Sequence, residues 1–328
     1  MMKSDGGDIF LSVRNLTVEY VTKQETVQAV NSVSFDLHKG KTLGLVGETG
    51  AGKTTIAGAI LGVLPVPPAV TRGGEILLDG EDLMRLDEAT MCKVRGKRVT
   101  VIFQDPMTAL NPVMTIGRQI AEVIELHDAV SRKEARVRAE RMLEMVGIPA
   151  ARYDEYPNQF SGGMRQRVVI AVALACNPEL LLADEPTTAL DVTIQAQVLD
   201  LIRELNSAKK TSMILITHDM GVVMEMCDDV AVIYAGEIIE TGTLENIFEH
   251  PAHPYTIGLF GSIPKINGDS ERLSPIAGLP PNPADLPKGC KFHPRCPQAA
   301  EACKSGEIPV REISAGHFCK CRGKAGEA

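Results

Sequence analysis

Gly47-Glu48-Thr49-Gly50-Ala51-Gly52-Lys53-Thr54 sets glycines, a lysine and a hydroxyl in the pattern G-x-x-x-x-G-K-[ST]. Glycines let backbone N–H groups curl around phosphate oxygens, the Lys53 ammonium bridges the outer phosphates, and the Thr54 hydroxyl reaches Mg²⁺. Thr55 extends the phosphate-facing run. The bland alternative is a glycine-rich turn with an incidental lysine, and context decides between them. Thr42 to Val46 reads as a short apolar strand and Lys53 towards Leu64 as a helix, which is the strand–loop–helix setting that phosphate binding requires.

Two further segments fit the same chemistry. Leu180-Leu181-Leu182-Ala183-Asp184-Glu185 is an apolar strand ending in adjacent carboxylates; Asp184 suits a metal held through water, and Glu185 suits orienting or deprotonating an attacking water. The competing reading is an acid pair at a helix start, since Pro186 follows. Phe160-Ser161-Gly162-Gly163-Met164-Arg165-Gln166-Arg167 opens a helix with Ser161 as N-cap and two glycines, a second cluster of amides suited to an anion. One nucleotide in one chain leaves that second cluster without a partner.

The elements that must position these residues follow from hydrophobic period. Leu11 to Tyr20, Val33 to Leu37, Glu75 to Leu78 and Val99 to Phe103 read as strands, with turns at Asp79-Gly80 and around Pro65 to Pro68. From Ile116 to Cys176 the period is helical, with a capping box at Ser131 and Glu134 and a stop at Gly147. Strand and helix then alternate again through Leu180 to Ala183, Thr193 to Ser207 and Met213 to Thr217, and Val230 to Tyr234 pairs with Glu237 to Thr241. Such alternation implies a largely parallel sheet. Beyond His250 the composition shifts: most of the 20 prolines and five of the eight cysteines fall there.

Bulk properties narrow the function classes. The 328 residues suit about two domains. A formal net charge of −8 disfavours nucleic acid as the main partner, and no Trp with 4% aromatics weakens any base-stacking platform. Met1 to Phe10 lacks the apolar core of a secretory signal, and no stretch offers about twenty clean apolar residues, so any bilayer path must come from another chain.

Taken together, these residues resemble the ATP-binding cassette (ABC) ATPases. The resemblance implies an α/β P-loop NTPase of ABC type: a parallel-sheet core, an antiparallel β subdomain and an inserted helical subdomain at about 104–176. It assigns 1–250 to the ATPase and 251–328 to a C-terminal extension. In that family the loop at Ser161, Gly162 and Gly163 contacts ATP held by the opposite subunit. Gln104 matches the position that senses metal and γ-phosphate and relays to the membrane partner, Asp191 in Ala189-Leu190-Asp191 the dimer-interface loop, and His218 the residue on the γ-phosphate. Tyr20 is the candidate for stacking on adenine.

The resemblance narrows at Phe103-Gln104-Asp105-Pro106-Met107-Thr108-Ala109-Leu110-Asn111-Pro112 and at His253-Pro254-Tyr255-Thr256, which are similar to segments of dipeptide, oligopeptide and nickel importer ATPases. Position 164 is Met where the commonest signature has Gln, a substitution usual in the peptide-importer branch. This implies an ATPase subunit energising di- or oligopeptide import, with import of nickel or another small solute as the alternative. Its partners would be transmembrane permease subunits, a second cassette bound head to tail and, indirectly, an external solute-binding protein. It would sit at the cytoplasmic face of the membrane.

The tail reads Cys290-x₅-Cys296-x₆-Cys303-x₁₅-Cys319-x-Cys321. In a reducing cytosol clustered thiols point to metal rather than disulfides. No C-x₂-C pair is present, although His293 and His317 could complete a tetrahedral zinc site. The importer branch with this spacing holds a [4Fe–4S] cluster, and its pattern selects Cys290, Cys296, Cys303 and Cys321, with Cys319 as the alternate. The rival readings are a soluble P-loop kinase, which has no use for Ser161 or His218, a repair or translation cassette, and a metal- or redox-sensing ATPase.

Overall fold

The computed structural model describes residues 8–188, 190–261 and 276–323. The chain divides into two compact units, one made of Met1–Leu37, Leu43–Met84 and Thr217–Ala328, the other of His38–Thr42 and Arg85–Ile216.

In the first unit an antiparallel sheet runs in the order Thr26–His38, Ile9–Val21, Ala69–Leu78, Glu81–Asp82. Leu11 faces Leu78 and Val13 faces Ile76 across the ladder, and all four are fully buried. These strands are longer than the apolar runs that announce them, because ladder hydrogen bonds continue through polar residues at the ends. A second set begins with Thr42–Val46, parallel to Asp229–Tyr234, which pairs antiparallel with Glu237–Thr243; His317–Lys320 and Val310–Ser314 continue it.

Strand Thr42–Val46 delivers its chain directly into the glycine-rich loop. Helix Lys53–Leu61 follows from Gly52 at φ 102°, a conformation natural to glycine. The helix stops three residues before Leu64 because Gly62 takes the left-handed conformation (φ 62°) and its N–H returns to Ala59 O. Besides helix Pro254–Phe260 and its two strands, the proline- and cysteine-rich tail packs aromatic rings against Tyr234 of strand Asp229–Tyr234. Tyr234, Tyr255 and Phe292, all fully buried, stand with ring centroids 4.7, 5.3 and 5.4 Å apart. Such tilted and edge-on pairs contribute about 0.5–1.5 kcal/mol each beyond their burial.

In the second unit Val99–Ile102, Leu180–Asp184 and Ser212–Thr217 form parallel ladders, with Leu181 between Thr100 and Met213. Every residue of the last two strands is buried, the pattern of strands covered on both faces. Helices Ile116–His127, Arg132–Met145 and Gly162–Leu174 form the inserted helical part. Ile116, Ile120 and Ile124 make a buried stripe at a spacing of four. The Ser131 hydroxyl accepts the Glu134 N–H at 3.3 Å, the cap expected from sequence, and Gly147 turns the chain at φ 75°. Among the described residues no helix is long and apolar enough to cross a membrane.

Candidate nucleotide-binding and hydrolysis site

The loop Gly47–Thr54 is shaped by contacts that exclude side chains. A Cβ on Gly47 would stand 2.2 Å from Ile233 O, and one on Gly52 would stand 2.3 Å from Ala29 O. Both obstacles are backbone and cannot yield, so the glycines hold the loop close to two strands. Gly236 N–H adds a bond to Ala51 O at 3.1 Å. The buried Lys53 ammonium donates to Gly47 O at 2.6 Å and to Glu48 O at 2.9 Å, which keeps its charge beside the loop amides. Helix Lys53–Leu61 starts without a side-chain cap hydrogen bond, and a helix start is where a phosphate is favoured. Thr54 is exposed and Thr55 is buried; the Thr55 Oγ1 lies 3.3 Å from the hydroxyl of Tyr20 on strand Ile9–Val21. Thr49, Gly50 and Ala51 complete the loop. His218 is exposed in the turn between strand Ser212–Thr217 and helix Met220–Met226.

In the second unit Asp184 ends its strand buried, and Glu185 occupies the left-handed region at φ 46°, where a non-glycine residue costs about 1–3 kcal/mol. Two donors hold one oxygen of its carboxylate: Gln104 Nε2 at 2.9 Å and Thr188 Oγ1 at 2.8 Å both reach Oε2. Oε1 receives neither of these hydrogen bonds. Gln104 belongs to a segment anchored further on, where Gln119 accepts the Asn111 N–H and donates to Asn111 O and Met114 O.

Ser161 caps helix Gly162–Leu174 through Met164 N–H at 3.4 Å. A Cβ on Gly162 would meet no atom within 4 Å, whereas one on Gly163 would press on Ile194. Packing within the unit therefore explains Gly163 and leaves Gly162 unexplained. Asp191 caps helix Val192–Lys209, its carboxylate accepting Ile194 N–H at 3.0 Å; Ala189 lies outside the described residues.

The tail supplies a separate cavity. Cys290, Cys296, Cys303 and Cys321 line it together with His253, His293 and Phe292. Cys319 does not line it: strand His317–Lys320 buries His317 and Cys319 on one face, with Cys319 opposite Glu240. His317 Nε2 instead meets Glu240 Oε1 at 2.8 Å, inside a fully buried pair. Among the described residues no three His, Cys, Asp or Glu side chains converge closely enough for one metal ion.

The cavity's titrating groups follow their surroundings. A hydrogen bond with Cys319, supported by the Gly323 N–H, holds the Cys321 thiol down at about 6 against the effect of burial, while burial pushes Cys290 up to about 11. Burial holds His253 down at about 4. Its Nδ1 accepts the Tyr255 N–H at 3.0 Å, so the ring proton sits on Nε2, which is buried without a hydrogen-bond partner.

Comparison with known proteins places this architecture. Residues 30–188 match the ABC transporter family, and 239–303 match the oligopeptide/dipeptide transporter C-terminal region. The ATP-binding cassette MJ0796, in a dimeric post-hydrolysis structure bound to ADP and Pi, superposes with a TM-score of 0.64 at 29% identity, covering 71% of this chain and 98% of that one. The oligopeptide transport ATP-binding protein AppD of Bacillus subtilis is 48% identical over 313 residues, 95% of each chain. The dipeptide transport protein DppD of the same species is 51% identical over 89% of this chain and 88% of its own, and Escherichia coli OppD is 46% identical over 96% and 93%. The chain belongs to the ABC transporter ATP-binding family, in its oligopeptide/dipeptide branch.

Three residues escaped the sequence reading of the site. Tyr255 Oη accepts the Glu48 N–H at 2.9 Å, Arg295 grips the Glu48 carboxylate, and Glu240 accepts N–H bonds from Ala252 and His253 besides meeting His317. Tyr255 stood in a segment noted only for its resemblance, and no local signal marks Arg295 or Glu240.

Proposed function

We propose that this chain is the ATP-hydrolysing subunit of a peptide importer, working at the cytoplasmic face of the membrane on permease subunits that supply the path. The loop Gly47–Thr54 holds the triphosphate through its amides and the Lys53 ammonium. By the family resemblance Thr54, Asp184 and Gln104 are the residues that would hold Mg²⁺, which would neutralise phosphate charge. Glu185 accepts a proton from water while the water oxygen bonds to the γ-phosphorus and the bond to the ADP oxygen breaks. Gln104 and Thr188 fix Oε2 and so orient that carboxylate. His218 binds the γ-phosphate and Tyr20 stacks on adenine.

The observation that best supports a two-cassette site is Gly162. Nothing in its own unit requires glycine there, at the start of a helix capped by Ser161. An incoming phosphate on a second cassette, self or paralogue, supplies the missing reason, and Asp191 would lie at the same junction. In the reconstituted importer, Lys53→Ala should abolish both ATP turnover and peptide uptake. Uptake of nickel with none of peptides would refute the substrate class.

We further propose that the tail holds a [4Fe–4S] cluster on Cys290, Cys296, Cys303 and Cys321. Four thiols line one cavity, the number that holds such a cluster. The buried Nε2–H of His253 offers sulfur a hydrogen bond. Such a cluster would supply a one-electron couple and cross-link distant positions of the tail. Anaerobically purified protein should be brown, and Cys290→Ala with Cys296→Ala should bleach it; a colourless wild type with stoichiometric zinc would refute the assignment.

A further inference from the structure

Glu48 of the phosphate loop is held from the tail. Its N–H donates to the Tyr255 hydroxyl at 2.9 Å, and its carboxylate takes a two-pronged bond from Arg295: Nη1 to Oε2 at 2.8 Å and Nη2 to Oε1 at 3.0 Å. The Arg295 side chain is only 7% exposed. Two further donors are engaged, since Nε reaches Ala277 O at 3.0 Å and Nη1 also reaches Tyr234 Oη at 3.3 Å. The guanidinium is therefore fixed before it meets Glu48, and a planar fork so fixed dictates where the carboxylate lies.

The contact continues into the loop's chemistry. Glu48 O accepts both the Lys53 ammonium at 2.9 Å and the Ala51 N–H at 3.2 Å. Tyr255 and Arg295 thus hold the N–H and side chain of the residue whose carbonyl holds the phosphate lysine. Behind them, Tyr234, Tyr255 and Phe292 form a packed aromatic trio, and Arg295 directly precedes Cys296 of the cavity.

We propose that Arg295 and Tyr255 are positioning residues for ATP: from the C-terminal tail they set the conformation of the phosphate loop around Lys53. They act through Glu48. Their removal therefore weakens the grip on triphosphate more than it slows the chemistry on bound ATP. The tail becomes a part of the nucleotide site and more than an appendage to it. This inference rests on the ATPase reading above.

The test uses full-length chain in the assembled, detergent-purified importer, with kcat and KM for Mg·ATP measured for wild type, Arg295→Ala, Arg295→Lys, Tyr255→Phe and Glu48→Ala. Arg295→Ala should raise KM about tenfold with kcat within about threefold, the signature of lost ground-state binding. Arg295→Lys, which keeps the charge and loses the fork, should fall between the two. Tyr255→Phe, which orphans one N–H, should raise KM about fivefold. Arg295→Ala combined with Glu48→Ala should be no worse than the more damaging single variant, because both break one link.

Unchanged KM in Arg295→Ala and Tyr255→Phe would overturn the proposal, as would reduced kcat at unchanged KM, the outcome of a purely structural loss of active protein. Should Arg295→Ala fail to assemble, Arg295→Lys and Tyr255→Phe decide alone by the same criterion. A wild type with no ATP turnover, against a Lys53→Ala control, would instead sink the ATPase reading.

Discussion

Replacing Glu185 with Gln separates binding from chemistry. In the structure one carboxylate oxygen, Oε2, accepts from both Gln104 and Thr188, and these two bonds fix the plane of the group. A glutamine fits the same space, and its amide oxygen satisfies both donors. Its NH₂ then occupies the position of Oε1, where it cannot accept a proton from water. ATP binding should therefore stay within about threefold of wild type. A positioned general base contributes about 10²–10⁴-fold, so kcat should fall by that factor, or about 3–5 kcal/mol of barrier at about 1.36 kcal/mol per decade. The assay is phosphate release by the assembled importer at saturating Mg·ATP, paired with nucleotide binding at equilibrium. A kcat within tenfold of wild type would refute the assignment of Glu185 as base. A comparable loss in ATP affinity would show that the carboxylate serves binding instead.

Other outcomes follow from groups away from the chemistry. Glu240 is fully buried and accepts the Ala252 N–H at 2.7 Å and the His253 N–H at 2.9 Å while pairing with His317, so Glu240→Ala should cost about 3–5 kcal/mol, read as a lowered denaturation midpoint of the purified chain. Burial pushes the Cys227 thiol up to about 12 from its ordinary value of 9. Its folded state thus stays protonated where the unfolded thiol ionises, and stability contributed below pH 9 is lost as pH rises from 9 towards 12. At pH 9 Cys227 should resist alkylation while the exposed Cys92 reacts, as peptide mapping would show; equal labelling would contradict the burial argument.

Legibility in the sequence tracked how local each feature is. Gly47 to Thr54 is contiguous, and its strand and helix adjoin it, so pattern and context arrive together. Leu180 to Ala183 was visible as a strand by its apolar run and Ser131 as a capping residue, whereas the helix cap that Asp191 makes was not read from the sequence. The grip on Glu48 was not legible, because its partners are 207 and 247 residues away and ion pairs leave no periodic trace. The different surroundings of Cys319 and Cys321 turn on where strand His317–Lys320 ends: Cys319 shares the buried face with His317, and Cys321 lies just past the strand at the cavity. The short run His-Phe-Cys-Lys gives too few residues to reveal that alternation without its partner strand. Gly162 was read from the sequence as part of a second amide cluster without a partner, and the open space around its missing Cβ adds a structural reason to look outside the unit.

The most direct test of a shared nucleotide site is Ser161→Arg in this chain within the assembled importer, followed by photolabelling of this chain with an azido-ATP and by phosphate release. The shared-site account predicts that labelling of this chain persists, because its own Gly47–Thr54 loop is intact, while turnover falls at the site facing the altered Ser161. Lys53→Ala should remove the labelling. Full turnover with Ser161→Arg, or loss of this chain's own labelling, would contradict an arrangement in which each cassette completes the other's site.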